Sequence, residues 1–150
     1  MRARSLDCDP FAAAGRLVES GLVGIGEPLS QSPGSAEDAI FLTAHEHGEK
    51  AARMLERFVC LPNQTLVWTR LEEDAFALGQ IAGPWRYEIT GAGVFDGITN
   101  VRPARWLEEA FPKEMTPAGV VSTFNRGGRN MQAIRDESTA EESRSLWDGG

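Results

Sequence analysis

The sequence predicts an α+β fold: a small curved, mostly antiparallel β-barrel with flanking helices. Between Leu61 and Trp106, short apolar runs recur about every 8–12 residues and are punctuated by Gly and Pro, the pattern of a small curled sheet. Stretches with apolar positions at helical spacing lie on either side of that region. At 150 residues, one domain is the expectation, with a core large enough to need no metal or disulfide staple. The barrel core is expected over residues 20–135, and residues 136–150 form an acidic helix and tail.

Taken in order, Asp9-Pro10 caps a helix that begins at the proline and ends near Gly21. Leu22 to Gly26 reads as a short buried strand whose glycines permit close backbone approach. Gly24-Ile25-Gly26 lacks the lysine and third glycine of a phosphate loop, so a structural role is expected. Residues 27–39 form a polar, proline-broken loop, and Ser35 with Asp38 three positions on resembles a capping box for a helix. Ala44, Ala51, Met54, Leu55 and Phe58 continue helical spacing, and this helix is expected to pack across a mouth of the barrel. His45 and His47 are two apart and read as solvated surface residues, not metal ligands.

Strand 66–70 follows, then an acidic turn at 71–74, strand 75–82, and a bend at Gly83-Pro84 that lets Trp85 and Tyr87 project together. Residues 88–100 form a glycine-rich loop carrying Phe95, and Val101 to Leu107 form a strand that Pro103 places at an edge or bulge. Asn125 to Asn130 is a turn: its arginines and glycines suit either an anion-binding nest or an ordinary polar hairpin. A last short strand spans 131–134. Asp136 to Trp147 is an acidic helix, with Ile134, Leu146 and Trp147 available to dock and a frayed end at 148–150.

The formal net charge of −7 argues against a simple non-specific nucleic-acid binder, which needs a basic face. The charge is uneven, however: residues 83–135 are the only basic part. Trp68, Trp85 and Trp106, the only tyrosine and Arg70, Arg86, Arg102 and Arg105 lie in or beside the strands, a composition suited to a flat, polar-edged ligand such as a nucleobase. Such a protein grips one extruded base while touching few phosphates. The expected base-binding residues are Trp85 and Tyr87, with Trp68 and Phe95 opposite; for each, a plain barrel-core role is the alternative. Arg86, Arg102, Arg105, Arg126 and Arg129 are the expected phosphate contacts, and Arg102 and Arg105 point to opposite sides of their strand.

The series Gly24-Ile25-Gly26, Leu61-Pro62, Leu66 to Arg70, Leu78 to Tyr87, Val101 to Trp106, Pro112 and Phe124 to Ile134 resembles a prokaryotic branch of the PUA-like superfamily. That branch is akin to the EVE and YTH-like domains of modification-dependent restriction and phage-defence proteins. The resemblance covers about residues 20–135. It implies a five- or six-stranded barrel, an aromatic pocket for a modified base, DNA favoured over RNA, and no catalysis by the domain itself. Relatives are commonly fused to a nuclease or helicase, so an effector acting in trans is implied. Where relatives often carry an aromatic after the Gly-Ile-Gly strand, this chain has Glu27-Pro28.

No Ser/His/Asp order, Cys/His pair or metal-ligand spacing points to catalysis, and no cofactor is expected. Cys8 and Cys60 lie far apart and no long apolar span occurs, so a cytoplasmic protein without membrane contact is expected. The competing reading is a protein-interaction or accessory module that uses the same pocket for a peptide or small ligand.

Overall fold

The computed structural model describes residues 10–26, 28–88, 97–126, 132–133 and 137–149. Its strands are β1 (Leu22–Ile25), β2 (Leu66–Glu72), β3 (Ala75–Ile81), β4 (Arg86–Tyr87), β5 (Asn100–Trp106), β6 (Phe111–Pro112) and β7 (Gln132–Ala133). They form one curled antiparallel sheet in the order β1-β5-β3-β2-β7, with β4 added on β5 and β6 on β3. The result is a half-barrel. Around it pack α1 (Pro10–Glu19), α2 (Ala36–His47), α3 (Glu49–Cys60), α4 (Ala118–Asn125) and α5 (Glu137–Gly149).

Local chemistry accounts for the helix boundaries. Ser35 caps α2 by accepting the Asp38 N–H at 3.1 Å, as the sequence led us to expect. The single helical stretch expected up to Phe58 is two helices. Gly48, at φ 101°, ends α2 and starts α3, a backbone conformation that residues with a Cβ avoid. α4 was not anticipated, because Val120, Val121 and Thr123 are β-branched and favour strands. Tertiary burial of Val120 and Phe124, one helical turn apart, overrides that preference. Asn125 therefore closes a helix and does not open a hairpin. The last helix also runs on to Gly149, past the expected frayed end at 148.

β5 is interior, which removes the edge from the two placements, edge or bulge, expected from Pro103. One of its sides pairs with β1. On the other, Asn100–Val101 pair with β4 and Ala104–Trp106 with β3. Pro103 falls at the changeover, where its carbonyl accepts the Ala82 N–H at 2.8 Å. Its own missing N–H points to the same side, into the gap at Gly83-Pro84 where no ladder partner is needed.

Three apolar clusters hold the layers together. Val23, Ile25, Val67, Ile81 and Ala104 meet Ala39, Leu55 and Phe58 of α2 and α3. Leu66, Trp68, Phe76 and Leu78, on the opposite face of β2 and β3, meet Val120 and Phe124 of α4. Leu146 and Trp147 pack against this second cluster, the docking expected of the C-terminal helix. Ala13 of α1 joins Leu22, Ile98 and Val101. Each fully buried Leu or Phe contributes about 1.5–3 kcal/mol of transfer free energy, so the clusters, not helix propensity, set the fold.

Gly79 faces Trp106 across the β3–β5 ladder, and a Cβ there would stand 2.6 Å from the indole. The ring also donates Nε1–H to the Leu22 carbonyl at 3.0 Å, which stops it from swinging away. Gly79→Ala is therefore expected to lower the unfolding free energy by roughly 1–3 kcal/mol in urea titration. An unchanged midpoint would show that the indole yields freely.

Candidate functional site

Two of the expected ligand-contacting side chains belong to the interior. Trp68 is fully buried, lies edge-on to Phe111 with ring centroids 5.7 Å apart, and donates its indole N–H to Ser143 Oγ of α5 at 3.0 Å. No face of the ring is open to a base. The barrel-core alternative describes it.

Arg102, expected on phosphate, is 4% exposed. Its Nε donates to the Gly83 carbonyl at 2.9 Å, one terminal nitrogen to the carbonyls of Phe58 (2.9 Å) and Leu61 (2.6 Å), and the other to Asn63 Oδ1 at 3.0 Å. The guanidinium thus closes the C-terminal end of α3, where helix carbonyls carry partial negative charge, and pins the Gly83-Pro84 bend to it. Burial pulls its pKa below the ordinary arginine value, with Cys60 acting the other way. The side chain still carries its charge, which carbonyl dipoles satisfy. Each of its three nitrogens donates within the fold.

Trp85 and Tyr87 lie where the expectation placed them, beside the bend and half-buried. They are joined by a residue the sequence reading passed over. Asn100 is fully buried; its Oδ1 accepts the Trp85 Nε1–H at 2.9 Å, and its Nδ2 donates to the Gly26 carbonyl at 3.3 Å. It also stands opposite both Tyr87 and Ile25 in the strand ladders, so Ile25, Asn100 and Tyr87 share one face of three adjacent strands. A buried amide between Thr99 and Val101 was the available signal, since such a group needs partners.

The segment after Gly26 is strapped over this corner. Tyr87 Oη accepts the Leu29 N–H at 2.8 Å. The Glu46 carboxylate accepts Ser30 N–H at 3.0 Å and Ser30 Oγ–H at 2.8 Å, while His47 Nε2 lies 2.6 Å from the Pro28 carbonyl and donates to it. His47 is thus a strap contact and not merely a solvated histidine. The two hydrogen bonds from Ser30 hold the Glu46 carboxyl below its usual range; slight desolvation opposes them, and His47 and His45 add to the lowering.

The remaining arginines are dispersed. Arg86 is half-exposed with its guanidinium 3.9 Å from Glu88, Arg105 lies over the Trp147 ring at 5.9 Å on the opposite face from Arg102, and exposed Arg126 caps α4. Arg126 is the C-cap residue of that helix, and the rest of the turn expected over 125–130 lies outside the described residues. Phe95, Arg129, Glu27 and Ile134 lie outside the described residues. Residues including Ala14, Leu17, Thr69 and Trp106 line a crevice too shallow to hold a water molecule. Among the described residues, no group of three or more His, Cys, Asp or Glu could hold a metal ion, and no helix is long and apolar enough to cross a membrane. No family model matches the chain, and neither do any curated protein or solved structure.

Two outcomes are expected. Arg102→Met should cost roughly 2–4 kcal/mol of unfolding free energy, because buried carbonyls lose their donors; a loss below about 1 kcal/mol would mean water replaces them. The Glu46 tether carries the sign of a lowered carboxylate: it is present above the ordinary value of 4.5 and is lost as pH falls through the depressed folded value. An NMR titration should show the Ser30 amide shift changing with a midpoint below 4.5. A midpoint at the ordinary value would remove the tether.

Proposed function

We propose that this chain is a non-catalytic reader of a modified or extruded nucleobase, held at the corner formed by Trp85, Tyr87 and Asn100. The observation that carries the reading is the pairing of two half-buried rings with a fully buried amide that anchors one of them. Extruding a base costs a few kcal/mol, and stacking on an aromatic side chain returns about 1–3 kcal/mol per base. Rings at fixed positions lose little entropy on binding. The curled antiparallel sheet forms a half-barrel. The resemblance to the PUA-like superfamily, taken as part of this proposal, implies DNA as the favoured nucleic acid, a cytoplasmic restriction or phage-defence setting, and a nuclease or helicase effector in trans.

Of the expected phosphate contacts among the described residues, Arg86, Arg105 and Arg126 are left to meet phosphates. With a net charge of −7, affinity should rest on the base and depend only weakly on salt. The same acidity, with Phe41 71% exposed on α2, favours the second reading, a peptide-binding accessory module.

Short oligonucleotides carrying unmodified, methylated or bulkier cytosine or adenine distinguish the two. One modified base should bind preferentially and quench tryptophan fluorescence, and Trp85→Ala should weaken that binding by roughly five- to a hundredfold. Equal binding of every oligonucleotide, or none, would end the reader hypothesis and leave the peptide module.

A further inference from the structure

The strap has two fixed feet. At one, the Gly26 carbonyl accepts Asn100 Nδ2 at 3.3 Å; at the other, Ser35 caps α2. Between the feet, side chains hold it to the body of the protein. Leu29 N–H donates to Tyr87 Oη, Ser30 gives both its donors to the Glu46 carboxylate, and His47 donates to the Pro28 carbonyl. None of these bonds belongs to a strand ladder or a helix, so the strap can lift without unfolding any element.

The two sides of the strap are held unequally. The bonds to Glu46 and His47 are exposed, and water offers a replacement partner at each. The Leu29 bond to the phenol is partly buried. Leu29 lies one residue from each tether to α2, so its phenol bond forms at the effective concentration that those tethers set. While the strap is down, main chain 2.8 Å from Tyr87 Oη fills the space at that side of the phenol oxygen.

We propose that Pro28–Ser30 is a gate on the aromatic corner, held shut by Glu46 and His47, and that a planar ligand reaches the phenol edge only after the strap lifts off α2 as one unit. The proposal rests on the base-reader reading and adds regulation of that site. Affinity is lowered by the fraction of molecules whose strap is down, so loosening the α2 tethers strengthens and speeds binding. A strap that formed a wall of the bound site would do the reverse.

Glu46→Ala in the full chain tests this, with Glu37→Ala, an equal charge change at another exposed position of α2, as the control. In amide exchange followed by NMR at one pH, Glu46→Ala should speed exchange at Leu29 about fivefold or more, although the Leu29 acceptor is Tyr87 and is untouched. Ser30→Ala, which removes one tether from the strap side, should act in the same direction. Unchanged Leu29 exchange in both variants would show that the strap does not move as a unit and overturn the gate. With the oligonucleotides above, Glu46→Ala should bind the preferred base about threefold or more tightly and associate faster, while Glu37→Ala binds like the wild type. Equal gains in the two variants would assign the effect to charge alone and overturn the gate. If the wild type selects a base and Trp85→Ala loses it, but Glu46→Ala binds equally or more weakly, the gate is overturned and the reader reading stands. If neither the wild type nor Glu46→Ala prefers any base, both fall.

Discussion

The guanidinium of Arg102 ties together the end of α3, the middle of β5 and the Gly83-Pro84 bend. A buried cation without a carboxylate is costly unless its donors find acceptors, and here each of the three guanidinium nitrogens has one, in main-chain carbonyls and one asparagine. Because a guanidinium is planar with fixed donor directions, the arrangement tolerates little drift in any of the three elements. The bend then fixes where Trp85 leaves β3, and so where the aromatic corner can form.

From that anchor the corner is built by short-range necessity. Asn100 lies in a sheet interior where its amide must be satisfied, and the partners within reach are an indole and the carbonyl at the end of β1. Tyr87, opposite Asn100, turns its phenol toward the segment that follows β1. α2 completes the enclosure with Glu46 and His47, whose exposed bonds to Ser30 and Pro28 compete with water and are individually weak. A rigid amide and ring foundation therefore carries a strap that can be released.

Legibility in the sequence followed the range of the interactions. The Ser35 cap, the hairpin around Glu73-Asp74, the bend before Trp85 and the docking of Trp147 are governed by neighbours in sequence or by simple amphipathic pattern, and each was readable. The break at Gly48 was hidden because a glycine within helical spacing is tolerated as often as it terminates. α4 was hidden because its β-branched residues argue locally for a strand. In the corner, Trp85 and Tyr87 were visible as aromatic residues at a bend, whereas Asn100, Glu46 and His47 were not. Their significance lies in contacts with residues up to 74 positions away, as for Asn100 and Gly26.

By itself the sequence determined the class of fold, the alternation that puts Arg102 and Arg105 on opposite sides of one strand, and the clustering of indoles and a phenol near a glycine-proline bend. These follow from periodicity and from the backbone preferences of single residues. Only the tertiary structure decided that Trp68 lies sealed beneath α5, that Arg102 serves α3 and not a phosphate, and that Trp85 is held by Asn100. A tryptophan or arginine has the same local preferences in a core as in a pocket. What separates the two is which distant carbonyls, amides and rings the folded chain brings within about 3 Å.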